Sequence, residues 1–168
     1  MSNTRRIVLL ALFISQALVL SIVESWIPLP IGIPGVKLGL ANIVTMIVIV
    51  FFGFRDAVIV TILRTALASI FGGGFIIFLF SVTGGLFSTL VMAILYKKAS
   101  RLMSILGISI AGAVAHNVGQ LVMASIQMKD YNVMTYLPIL LISGVIMGCF
   151  IGFCTTYLSK ALEKIYKN

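Results

Sequence analysis

The sequence predicts an all-α membrane protein: a single domain spanning 1–168, built as a bundle of six transmembrane helices with both termini in the cytoplasm. Three observations carry that prediction. Of the 168 residues, 61% are hydrophobic and 10% are charged, whereas soluble domains carry about 25% charged residues. That is too little polar surface to cover a water-soluble ball. The apolar residues also recur in runs along the whole chain, and the basic residues fall between alternate runs.

A spanning helix needs roughly 17–25 apolar residues. The first run, 7–27, is longer than the apolar core of a signal peptide. Glu24, Trp26 and Pro28 stand where a small-residue cleavage site would be, so this run reads as a retained helix. Pro28, Pro30 and Pro34 end it. The second and third runs, 38–53 and 57–71, are short. Joined, they would make a 34-residue helix of about 51 Å, far beyond a hydrocarbon core of about 30 Å. A break at Phe54-Arg55-Asp56 is therefore expected, with both helices tilting little or shielded by neighbours. The remaining runs are 75–96, 104–127 and 136–158.

Orientation follows from the charges. With the N-terminus inside, Arg5, Arg6, Arg55, Lys97, Lys98, Arg101, Lys160, Lys164 and Lys167 lie on the inner side, and Lys37 and Lys129 on the outer side. Nine against two, with Arg64 inside a helix, accounts for all 12 basic residues. Basic residues concentrate in cytoplasmic loops. This explains the net charge of +8 without nucleic acid, and makes a multi-pass protein of the cell membrane the expectation.

Small residues mark close helix contacts. Gly144, Gly148 and Gly152 form a four-residue-spaced ridge, expected to pack within the bundle. The fifth run has Gly107, Ala111 and Ala115, with Gly112 and Gly119 nearby. In the first run, Ala11 with Ser15 and Ala17 with Ser21 serve either packing or a partner. Gly84 and Gly85, mid-helix in the fourth run, weaken the helix or admit a neighbour or ligand. Cys149 and Cys154, five apart, point to different faces and read as packing residues.

Ionisable and polar residues inside a membrane are costly, so each is a functional candidate. Arg64 is either satisfied by carbonyls or Glu24, or binds an anion. Glu24 either reaches the headgroups beside Trp26 or joins the site. His116, Asn117 and Gln120 lie within one and a half turns and share a broad face. They are interhelical hydrogen-bonding groups or a ligand's polar wall, assisted by Asn42 and Lys37. One histidine with no cysteine near it argues against a metal, and no cofactor is expected. The apolar, proline-rich segment 28–36 suits a lid over such a site. Phe75, Phe78, Phe80 and Phe87 face lipid or line an apolar ligand body.

The stretch 34–73, PGVKLGLANIVTMIVIVFFGFRDAVIVTILRTALASIFGG, resembles the substrate-binding S-components of energy-coupling-factor (ECF) transporters, with Lys37-Leu38 opening the second helix and Phe52-Gly53 turning into the third. With Glu24-Ser25, Ile27-Pro28 and Pro30 before it, GVKLGLANI is similar to the Gx transporter family, also labelled heptaprenyl diphosphate synthase component I. The resemblance implies a six-helix, ligand-capturing membrane subunit. It also implies partners, a transmembrane coupling subunit and two ATPase subunits, met by an Ala-x-x-x-Ala-like patch whose nearest counterpart here is Ala11 and Ser15.

Catalysis is not expected. Prenyl diphosphate synthases hold magnesium on aspartate-rich motifs, and this chain has two aspartates, Asp56 and Asp130, far apart in sequence. It has no P-loop, so it cannot itself hydrolyse ATP. Two readings compete: a substrate-binding subunit for a small molecule with an anionic or polar group, and a non-catalytic membrane component of isoprenoid or quinone synthesis.

Overall fold

A computed structural model describes residues 3–26 and 37–167. These form α1 (Asn3–Ser25), α2 (Asn42–Phe51), α3 (Phe54–Ala68), a π-helical turn (Ser69–Gly73), α4 (Gly74–Ala99), α5 (Ile105–Met128), a 3-10 turn (Tyr131–Tyr136) and α6 (Leu137–Lys167). No strand occurs among the described residues. Among the described residues, four segments are long and apolar enough to cross a membrane: α1, α4, α5 and Tyr131–Lys164. The protein is a helical membrane protein.

The helix bounds correct the sequence expectation most at α2, which starts at Asn42 rather than at 38 and has 10 residues. Gly39 takes φ +87°, a conformation that only glycine adopts freely, so the chain turns there before it can coil. At about 15 Å, α2 covers half a hydrocarbon core. It survives because it is the central helix, in contact with α1, α3, α4, α5 and α6. Every residue from Asn42 to Ile49 is buried. The third helix runs 54–68 rather than 57–71, and the sixth extends to Lys167 rather than to 158.

The ends of the bundle are set by specific contacts. Arg6 clasps Asp56 side-on, Nε to Oδ2 at 3.1 Å and Nη2 to Oδ1 at 2.7 Å, tying the start of α1 to the start of α3. Phe13 meets Phe52 edge-on at 5.8 Å. The ridge Gly144, Gly148 and Gly152 lies on the backbone of Val114, Ile110 and Leu106. It is therefore an internal packing seam that holds α6 antiparallel to α5. Without a hydrophobic driving force in lipid, such close approach is what holds helices together. Cys154 packs on the core, whereas Cys149 is exposed. Phe80 is buried, but Phe75 and Phe87 are exposed on the bundle's flank.

Candidate functional site

At the end of the bundle opposite Arg6 and Asp56, the chain collects almost all of its polar side chains predicted to be functional. Glu24, on the last turn of α1, is 4% exposed. It does not reach out to headgroups. Its Oε1 accepts from Gly39 N and its Oε2 from Leu40 N, at 3.1 Å for the latter. The carboxylate thus satisfies backbone donors of the turn that α2 leaves unwound. Trp26, 76% exposed, stands free at this end, as an interfacial anchor does.

Gly39 sits between Asn42 and His116: a Cβ there would fall 2.8 Å from Asn42 Nδ2 and 3.4 Å from His116 Cδ2. Lys37 N donates to Gln120 Oε1 at 3.2 Å. Burial holds the Lys37 ammonium below the ordinary lysine range, with Glu24 opposing that fall and Arg64 adding to it. From the other side, α4 lets α5 approach through Gly84, where a Cβ would lie 2.8 Å from Gln120 Cγ and 3.1 Å from His116 Cε1. The next residue, Gly85, does the same for α3: a Cβ would lie 3.2 Å from Arg64 Nη2. The glycine pair thus admits neighbours from two helices while α4 continues through it.

Arg64 is 4% exposed. Glu24 acts on it through charge and not through a direct hydrogen bond. Its Nη1 donates to Ser21 Oγ at 3.1 Å, while Nε and Nη2 have no hydrogen-bond partner among the described residues, and the Glu24 oxygens accept from the backbone. The residue lies four positions from the end of α3 at Ala68, near the level of Ser21 on α1, so it belongs to the cluster.

Further polar atoms in the cluster are buried without partners among the described residues, namely both amide atoms of Asn42, Asn117 Oδ1 and Gln120 Nε2, while the His116 ring lies against the Gly84 backbone. Asn117 departs from the shared face expected of it. Its Nδ2 donates to Leu140 O at 2.7 Å, so its amide joins α5 to α6, while His116 and Gln120 turn toward α4 and residues 37–39. Sequence reasoning noted Ser21 only as a small residue and missed its bond to Arg64. A serine three positions before a buried Glu24 on one helical face is the signal that was there to read.

A cavity of about 280 Å³ adjoins the cluster, lined by Ser21, Ser25, Trp26, Lys37, Ala68 and Phe71 among others. It shares Ser21 and Lys37 with the cluster. The expected lid, 28–36, lies outside the described residues. The expected partner patch, Ala11 and Ser15, lies exposed on α1, with Ser15 Oγ bonded back to Leu12 O at 2.8 Å. Ala17 and Ser21, by contrast, are buried against the bundle.

A family model described as heptaprenyl diphosphate synthase component I matches residues 13–158. No curated protein and no solved structure matches the chain.

Proposed function

The chain belongs to the heptaprenyl diphosphate synthase component I family, and we propose that it acts as the substrate-binding membrane subunit of an ECF-type uptake transporter for a small molecule. The observation that carries this reading is the set of buried polar atoms on Asn42, Arg64 and Gln120 that have no partner among the described residues, drawn from three helices to one end of the bundle. Buried polar groups are normally paired, and interhelical hydrogen bonding needs pairs, not unmet donors and acceptors. A ligand's polar groups would meet them. The unwound turn at 37–41 supports the same reading, because irregular backbone inside a membrane protein characteristically lines a binding cavity.

In this reading six helices cross the cell membrane, with α2 and α3 shielded by the other four and both termini cytoplasmic. His116, Asn42, Gln120, Arg64, Lys37 and Glu24 form the site, and Asn117 holds α6 against it. The chain binds and does not catalyse. Energy comes from a transmembrane coupling subunit and two ATPases, met through the face of α1 that carries Ala11 and Ser15.

Affinity purification of the full chain from its native membrane tests this. A coupling subunit and ATPases should accompany it. Recovery of a prenyl synthase instead, without ATPases, would favour the second reading that the family description suggests: a non-catalytic membrane component of isoprenoid or quinone synthesis.

A further inference from the structure

Resting on the reading that the cluster holds the cargo, we propose that Arg64 grips one singly charged oxyanion group, a carboxylate or a phosphodiester. The charges that face the cluster are Arg64 and Lys37 against Glu24. With His116 counted neutral, two positive charges less one negative leave one positive charge uncompensated. A buried cation without a partner is expensive, and Glu24 is committed to Gly39 and Leu40.

The free atoms of Arg64 specify more than a sign. Nε and Nη2 lie on one edge of the guanidinium and form a two-donor fork. Arg6 uses that same edge on Asp56, through Nε at 3.1 Å and Nη2 at 2.7 Å. In Arg64 the fork is intact and unused, and its geometry matches the two oxygens of a carboxylate or phosphate. Ser21 Oγ holds the third nitrogen and fixes the plane. The adjoining cavity, about 280 Å³, shares Ser21 with this bond and is walled by Ala68, one turn beyond Arg64, while the fork itself lies one layer deeper, with Nη2 against Gly85, so an anion reaches it from the cavity by displacing the intervening side chains. That volume is at the small end for a ligand site. A diphosphate brings more negative charge than the site can balance, so the site selects against prenyl diphosphates.

The test uses the full chain in phosphatidylcholine nanodiscs and reads the thermal unfolding midpoint. Four probes are titrated: sodium benzoate, sodium dimethyl phosphate, neutral benzamide and sodium pyrophosphate. Benzoate or dimethyl phosphate should raise the midpoint by about 5–10 °C at a hundredfold excess over its dissociation constant. Benzamide and pyrophosphate should not. Arg64→Gln should abolish the rise, and without any anion should unfold no lower than the parent, because it removes an unpaired buried charge. Ser21→Ala, which leaves the charge in place, should weaken the response about tenfold by freeing the guanidinium. No response to any probe or to phosphatidylglycerol, or a response that Arg64→Gln retains, overturns the proposal. Benzamide acting as well as benzoate overturns it too, but leaves the cargo reading standing. A rise seen only in phosphatidylglycerol nanodiscs keeps an oxyanion on Arg64 while assigning it to a lipid headgroup, and the cargo reading falls instead.

Discussion

Glu24 and Arg64 are both buried ionisable residues at one end of the bundle, and the protein treats them in opposite ways. The carboxylate is consumed locally by Gly39 N and Leu40 N, which makes it a structural brace for the unwound entry to α2. The guanidinium leaves Nε and Nη2 buried and without a partner among the described residues, so a ligand group that met them would relieve a cost that the fold alone does not. Glu24→Ala should therefore lower stability by about 2 kcal/mol, the worth of hydrogen bonds to a charged group left unmade, as read by unfolding in lipid nanodiscs. Glu24→Gln, with one acceptor oxygen, should lose less. An unchanged midpoint in Glu24→Ala would show that the brace is dispensable. That both residues matter was legible in the sequence, because charge inside a membrane helix is costly wherever it sits. Their partners were not. Glu24 meets backbone 15 residues onward, and Arg64 meets Ser21 across 43 residues; the shared face of Ser21 and Glu24 marked a polar edge of α1, but no local pattern says which distant group meets it.

At the scale of elements, the long helices were legible because lipid demands long apolar runs, and α1, α4, α5 and α6 match theirs to within a few residues at most ends. The length of α2 was hidden for a physical reason. Residues 38–41 are as apolar as the helix that follows, and the turn there depends on the positive φ of Gly39 and on a carboxylate from another helix. The glycine ridge of α6 was read correctly as packing. A Cβ at Gly148 would press on the backbone of Ile110, which cannot swing aside as a side chain does. Gly148→Val should thus force α5 and α6 apart and destabilise the fold by about 1–3 kcal/mol, whereas Val145→Ala on the exposed side of the same helix should change little. Equal midpoints for the two variants would remove the seam from the account. The small residues of α1 divide between two faces. Because Ala11 and Ser15 are exposed, Ala11→Leu and Ser15→Leu should leave the fold and ligand binding intact while reducing co-purification of a coupling subunit. Undiminished co-purification would move that contact elsewhere.

Over the whole molecule, the contacts Arg6–Asp56, Gly112 with Met92 and Gly152 with Leu106 bring the starts of α1, α3 and α5 and the later parts of α4 and α6 to one end. The basic residues assigned to the inner side in the sequence share that end, and Glu24, Lys37 and Lys129 lie toward the other. If that end is cytoplasmic, as the positive-inside rule requires, then in a background without Cys149 and Cys154 an impermeant thiol reagent added outside should label Asp130→Cys and spare Lys98→Cys. The opposite labelling would invert the orientation. The account's central claim is that the unpaired polar cluster is a small-molecule site. Native mass spectrometry of the full chain released from nanodiscs tests it most directly. The parent should carry a small-molecule adduct, and the Asn42→Leu, Gln120→Leu double variant, folded by its unfolding transition, should lack it. A parent without an adduct, or a variant that carries the same one, would contradict the claim.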